Sequence, residues 1–320
     1  MLAAVIISTG AANAQDAWKP DRPVEIIVPS APGGGLDVTA RAIQAVIQQN
    51  KLMDESTVVI NKPGGSTALG VVYLNEHPGE GEYICIQAPP MVTNAIVGLS
   101  DINLGDVTPL GLLFQEDIIF SVKADSRFAN GKDLVKALLA DPQSVTFGIS
   151  SALGAHSHLA AALLMKAAGG DPNSLKIVVF GSGAEAATAV LGGHIDVAVT
   201  PASSILGHKE AGTLRVIGVP SDQRGSGAMV DVPTWKEQGV DYSFGNWRFV
   251  LGPKGMTPQQ IAFWDDIFAK VVKSPEWKKL TASNNWTPDY LPSVELRAFL
   301  IKQRDDLKII LAELGMAPAP

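Results

Sequence analysis

Three stretches of the chain place glycine and small residues between a short apolar run and an amphipathic one: Pro29 to Asp37 (PSAPGGGLD), Ser150 to His158 (SSALGAHSH) and Gly181 to Glu185 (GSGAE). Each reads as strand, loop and helix N-terminus. At such a junction the first amides of the helix have no intrahelical acceptor, the positive end of the helix dipole adds to them, and glycine leaves no side chain in a ligand's way. The chemistry on offer is anion binding by backbone N–H groups. The candidate contacts are Ser30, Ala31, Gly33, Gly34, Gly35 and Leu36 in the first stretch, with Asp37 closing it. They are Ser150, Ser151, Gly154, Ala155 and His156 in the second, and Gly181, Ser182 and Gly183 in the third. Ala88 and Thr200, at the ends of two further apolar runs, join the set because ligands of open α/β sheets bind beyond the carboxyl ends of strands. One glycine junction also fits an ordinary turn; three of them favour a ligand gripped from two sides.

Asp37 can cap the loop amides or accept a hydrogen bond from a ligand hydroxyl, ammonium or bridging water. Against an anionic ligand direct contact is repulsive, so capping or a water bridge is expected, and Arg41 one turn on can pair with it or reach the cleft. Trp247 and Arg248 sit on a later strand where a side chain could face a cleft; Arg248 is a candidate for carboxylate recognition.

Catalysis finds less support. Gly181 to Ala186 fits G-x-G-x-x-A, a dinucleotide-binding pattern whose confirmation is an acidic residue at the end of the next strand. That strand ends Val199-Thr200-Pro201, with Asp196 near its start, so the confirmation fails. Phosphate-loop, nucleophile-elbow and HExxH patterns are absent from the sequence. His156 and His158 are two apart on a helix and point about 200 degrees apart, which disfavours a shared metal. Cys85, the single cysteine, lies in an apolar run and reads as a buried structural thiol. No catalytic group, metal or cofactor is expected.

The elements that must position these loops follow from length and pattern. With 320 residues, two lobes are expected, and 46% hydrophobic with 18% charged residues describes a compact globular chain. The net charge of -7 disfavours nucleic acid and anionic membranes as partners. Apolar Leu2 to Ile7 followed by Ala12-Asn13-Ala14 reads as the remnant of an export signal over residues 1–14, lacking its basic start. Strands are predicted at 24–28, 57–60, 83–87, 118–122, 145–149, 176–180, 195–200, 214–219 and 242–251. Helices are predicted at 36–50, up to 75, at 132–139, after 156, after 183, from Thr257 onward and at 293–314. The alternation implies an α/β protein with two mainly parallel sheets. The C-terminal helices must lie back on the first lobe, which makes residues 15–120 plus 246–320 one lobe and 121–245 the other. Two crossings then join them as a double-crossover hinge around a cleft.

In their order and spacing, PSAPGGGLDVTAR, NKPGG (Asn61 to Gly65), HSHLAAALLMKAAG (His156 to Gly169), LGGHIDVAV (Leu191 to Val199), AGTLRVIGV, DVPTWKEQG and NWRFVLGPKG resemble the substrate-binding receptors of tripartite tricarboxylate transporters, the Bug-type receptors. The resemblance implies a periplasmic, monomeric, type II-like two-lobed binding protein that closes on a small carboxylate, held largely by backbone amides and waters from loops matching Ser30 to Asp37 and Ser150 to His156. It also implies delivery to a permease with a large and a small membrane subunit. Leu36 stands where the tricarboxylate-binding branch often has a larger aromatic, and few cationic side chains flank the loops, so a mono- or dicarboxylate, aliphatic or aromatic, fits as well as a tricarboxylate. The other readings are a nucleotide-dependent oxidoreductase using Gly181 to Ala186 and a sensor-linked receptor of the same fold.

Overall fold

A computed structural model describes residues 18–150, 152–225 and 227–317; the export segment expected over residues 1–14 and the candidate Ser151 lie outside the described residues. The chain begins with parallel β/α units: β1 (Val24–Val28), α1 (Gly35–Gln49), β2 (Thr57–Asn61), α2 (Ala68–Leu74) and β3 (Tyr83–Gln87). Helix α1 buries Ala40, Ile43, Val46 and Ile47 on one face, the spacing of a 3.6-residue repeat. A short helix, α3 (Pro90–Ile96), follows β3 directly, with Pro90 in its first turn where a missing amide costs nothing. The ten-residue strand β4 (Val107–Glu116) then runs one strand in from the edge of the first sheet.

The chain leaves that sheet at Asp117. Strand β5 (Ile118–Lys123) opens the second, followed by α4 (Gly131–Ala140), β6 (Thr146–Ser150), α5 (His156–Ala167), β7 (Lys176–Phe180) and α6 (Gly183–Leu191). Then come β8 (Val197–Pro201), α7 (Leu206–Glu210) and β9 (Leu214–Gly218). The return strand β10 (Asn246–Pro253) rejoins the first sheet, and α8 (Pro258–Lys273), α9 (Pro275–Asn284), β11 (Trp286–Pro292) and α10 (Ser293–Glu313) complete it. Thr257 and Gln260 form the capping box of α8 that their spacing announces.

The first sheet has the order β11-β4-β10-β3-β1-β2 and the second β7-β6-β8-β5-β9. Both are mixed, where mainly parallel sheets were expected. The β/α units pair in parallel, but the strands that carry the chain between sheets enter antiparallel: β10 between β3 and β4, and β5 between β8 and β9. Strand β4 escapes sequence reading because Pro109 and Gly111 interrupt it. Its ladder with β10 skips Leu110 and Leu113, two bulges, and a proline is tolerated at such a break because a ladder bond is already missing there.

Helices α1, α8 and α9 cover one face of the first sheet, with Trp264, Phe268 and Trp277 fully buried. Leu296, Leu300, Leu307 and Leu311 of α10 cover the other, each worth roughly 1.5–3 kcal/mol of apolar burial. Leu159 and Ala162 of α5 belong to that same cluster, so apolar packing runs on from the second lobe into the first. An ion pair between Lys166 of α5 and Glu313 of α10 lies beside it. No helix among the described residues is long and apolar enough to cross a membrane.

Candidate functional site

The first two glycine loops, one in each lobe, follow the same backbone course. Gly33 and Gly154 both have φ +79°, a left-handed conformation that glycine enters without strain. The helix caps that follow, Gly34 and Ala155, both have φ -73° with ψ of 163° and 168°. The Gly34 amide donates to the Ala31 carbonyl at 3.2 Å, and the Ala155 amide to the Ala152 carbonyl at 3.1 Å. In each loop the left-handed glycine donates its amide to the side chain four residues on: Gly33 to Asp37 Oδ2 at 2.9 Å and Gly154 to His158 Nδ1 at 3.0 Å. The third junction repeats this last bond, Gly181 to Glu185 Oε2 at 3.1 Å.

The left-handed glycine amides are therefore satisfied within their own loops. What remains for a ligand are the first three amides of each helix, which have no intrahelical acceptor: Gly35, Leu36 and Asp37 on α1, and His156, Ser157 and His158 on α5. Both loops touch the opposite lobe. A methyl group placed on Gly35 would lie 3.6 Å from Ser203 Oγ, and one on Gly154 would lie 3.4 Å from Val97 and from Met316.

Asp37 is buried, and its carboxylate also accepts from Arg41 Nε at 2.9 Å and from Asn61 Nδ2 at 3.0 Å. Burial pushes its pKa up, but the hydrogen bonds from Arg41, Gly33 and Asn61 together outweigh that and leave it below the ordinary value. The same Asn61 amide donates to the Ser30 carbonyl at 3.0 Å, which ties the loop to the end of β2. Leu36 has only its amide to offer a ligand, since its side chain lies in the core under α1. Ala88 is buried at the end of β3.

In the second loop Ser150 Oγ and Ser157 Oγ share a hydrogen bond of 3.0 Å. His156 is buried, hydrogen-bonded through Nε2 to the Gly245 carbonyl, stacked on Phe244 at 4.1 Å between ring centroids and edge-on to Trp247 at 6.0 Å. Its Nδ1 is buried without a partner among the described residues. Burial first, and the charge of Arg248 behind it, lower the His156 pKa to about 3, while the Gly245 bond opposes them. Burial also lowers His158 to about 4, so both rings are neutral and His158 can accept from the loop. Trp247 packs into the apolar cluster edge-on to Phe299.

The third junction is less suited to an anion. Ser182 caps its own helix by accepting from the Glu185 amide at 3.2 Å, and the exposed Glu185 carboxylate stands where an incoming anion would arrive. Thr200 is buried beside it, 3.3 Å from a methyl position on Gly183.

Sequence reading missed three contributors. Arg248 is already paired with Glu116 at the end of β4, both side chains buried, and Glu116 Oε1 accepts from the Ser203 amide at 3.1 Å. The acidic pair Glu116-Asp117 between two apolar runs was the available signal. Asn61 is the second. The third is Asn94 on α3, which donates to the Ser66 carbonyl at 2.7 Å and so supports a run of four left-handed residues, Gly64 to Thr67. Thr67 at φ +83° is strained, as a β-branched side chain crowds the backbone there.

Comparison with known proteins adds the following. The family described as the tripartite tricarboxylate transporter family receptor (TctC) matches residues 40–316. A protein from the tcbD-tcbE intergenic region of Pseudomonas sp. (strain P51) is 30% identical, covering 81% of this chain and 76% of its own length. Among solved structures, a TctC solute-binding protein from Polaromonas is 28% identical with a TM-score of 0.69, covering 92% of this chain and 99% of that one. Rpa4515 of R. palustris, solved with adipate, superposes with a TM-score of 0.85 at 22% identity, over 93% and 99% of the two chains. MatC of Rhodopseudomonas palustris, with bound malate, gives a TM-score of 0.80 at 16% identity, over 92% and 100%. At these two lower identities the likeness concerns the fold.

Proposed function

The chain belongs to the tripartite tricarboxylate transporter receptor family, a family of solute-binding receptors rather than enzymes, and on that footing we propose that it is a periplasmic receptor for a small carboxylate. The ligand is held between the lobes and handed to a permease of large and small membrane subunits. The observation that carries the reading is the matched pair of loops: residues 31–37 in the first lobe and 152–158 in the second present three helix amides each without an intrahelical acceptor, at φ/ψ values that agree within a few degrees. Two such loops grip one anionic group from both sides, and closure follows because a ligand contacting both lobes stabilises the conformation in which they meet.

Adipate and malate in two structures of the same fold support a carboxylate as the ligand class. The charge of the site supports it too. Asp37 is offset by Arg41, and both histidines of the second loop are neutral, so neither of the first two loops repels an anion. An oxidoreductase reading of Gly181 to Ala186 would place a pyrophosphate against the Glu185 carboxylate. Thermal-shift and calorimetric titration with a panel of mono-, di- and tricarboxylates, with NAD(H) alongside, tests the proposal. Stabilisation by at least one carboxylate and none by the nucleotide is the expected result; stabilisation by nucleotide alone would refute it.

A further inference from the structure

Beneath Gly35, at the point where the two crossing strands lie side by side, sits a buried ion pair that backbone recognition of a carboxylate does not require. Arg248 enters from the start of β10. Its Nη1 donates to Asn246 Oδ1 at 2.8 Å, its Nη2 donates to Glu116 Oε2, and its Nε is buried with no partner among the described residues. Glu116 uses its second oxygen on the Ser203 amide, just beyond the Ile118–Pro201 end of the β5–β8 ladder. A methyl group on Gly35 would lie 3.4 Å from Arg248 Nη2, 3.6 Å from Ser203 Oγ and 3.8 Å from Glu116 Oε2, so the pair lies directly under the first amide of α1. On the other side the Arg248 charge is felt at His156, the first residue of α5. The pair thus lies between the two loops that face the ligand.

We propose that Glu116, by neutralising Arg248, sets the charge of the ligand: the cleft accepts a carboxylate of low charge and gives no advantage to one carrying more. This rests on the carboxylate-receptor reading and deepens it. A buried arginine left alone would attract every further carboxylate on the ligand, and it would do so strongly because a low-dielectric site screens charge poorly. With Glu116 in contact the pair sums to zero and leaves only a dipole. The adjoining Asp117, pushed up to about 6 by burial with the Glu116 charge adding to it, is either neutral or negative and so supplies no cation to a ligand. Attraction is then confined to the helix amides, whose number is fixed, so a third ligand carboxylate must lose its water without a cation to meet it. Glu116 acts through Arg248 and is a specificity-determining residue.

The test is calorimetric binding of butyrate, succinate and tricarballylate, measured at two salt concentrations on the wild type, Glu116→Gln and Glu116→Gln/Arg248→Gln, with a melting curve for each. In the wild type butyrate or succinate should bind more tightly than tricarballylate. Glu116→Gln, which exposes the ligand to the arginine charge, should shift the tricarballylate-to-butyrate affinity ratio on the order of tenfold per additional ligand charge, more at low salt. The double variant restores a neutral pair of similar shape and should keep the wild-type ordering even where the single variant folds poorly. Tightest wild-type binding of tricarballylate, an unchanged ratio in a folded Glu116→Gln protein, or loss of the ordering in the double variant would each overturn the proposal. Binding by the wild type of none of the three, nor of any other carboxylate of the panel, would instead overturn the carboxylate reading beneath it.

Discussion

Replacing Gly35 by alanine should separate folding from binding. Gly35 is the first residue of α1 and is not among the left-handed glycines, so its backbone suits any residue. The added methyl would meet Arg248 Nη2 at 3.4 Å, Ser203 Oγ at 3.6 Å and Glu116 Oε2 at 3.8 Å, ordinary contact distances that require no rearrangement. Alanine is also the better helix former, by up to about 1 kcal/mol in a helix interior and less in the first turn. The melting temperature should therefore hold or rise slightly. The same methyl stands beside an amide that the proposed ligand site uses. Loss of one hydrogen bond to a charged group costs about 1.5–3 kcal/mol, roughly a 10- to 150-fold rise in Kd. Calorimetry with any carboxylate that stabilises the wild type reads the binding arm, and a thermal melt reads the folding arm. Gly34→Ala is the informative contrast, because its methyl would lie 3.2 Å from the Ala31 carbonyl and 3.3 Å from Ser30 Oγ, so it should disturb loop and binding together. A Gly35→Ala protein that melts normally and binds within about twofold of the wild type would refute the assignment of this amide to the ligand.

Three further outcomes follow from the same geometry. Asp37→Asn offers one acceptor oxygen where Gly33 and Asn61 each bond a carboxylate oxygen, and should cost about 2–3 kcal/mol in denaturant unfolding; a change below about 0.5 kcal/mol would remove Asp37 as organiser of the loop. Acid should destabilise the protein in two ranges. His156 and His158 are lowered to about 3 and about 4 from the ordinary 6.5, so the folded state favours their neutral forms and loses stability as pH falls from 6.5 towards those values. Asp37 is also lowered, so its contribution is present above the ordinary aspartate range and is lost as pH falls through its folded value. A stability–pH curve that stays flat between pH 6.5 and 4 in wild type, or is unchanged by His158→Asn, would contradict the neutral acceptor role of His158. Gly70→Ala should destabilise despite the gain in helix propensity, since its methyl would lie 2.6 Å from Pro29 Cβ; overpacking of about 1–3 kcal/mol outweighs a gain of about 1, and thermal melting reads the difference.

The parallel β/α units were legible because each obeys a local rule: five-residue apolar strands, loops with glycine and helices with a single buried face. The ends of β1, β3 and β7 fall where the apolar runs do. The unread elements are those whose stability is tertiary. Strand β4 contains Pro109 and Gly111 and is held by antiparallel partners on both sides, so its own pattern says little. Strand β11, with Pro288 inside and only Trp286 buried, exists as a partner of β4. Helix α3 begins on Pro89-Pro90, which reads as a strand end until the chain beyond it is packed. The start of β10 falls four residues later than its apolar run suggests, because Tyr242 and Phe244 belong to the second lobe's core.

In the site, the local pattern marked which loops could offer amides but not how many of those amides are free. Glycine count alone makes Gly33, Gly34 and Gly35 look like three donors, yet Gly33 is bonded to Asp37 and Gly34 to the Ala31 carbonyl, leaving the helix to supply the rest. The residue four beyond the donating glycine, which is left-handed in the first two loops but not at Gly181, decides the character of each loop. Aspartate at 37 is compensated by Arg41, histidine at 158 is neutral, and glutamate at 185 is a carboxylate without a cation in contact among the described residues. Backbone geometry makes the first two loops equivalent, and both the missing left-handed glycine and the side-chain charge separate them from the third. That is why Gly181 to Gly183, which the glycine pattern ranks with the others, is the weakest of the three places for an anion, and why ligand charge is better read from Glu116 and Arg248 than from any glycine.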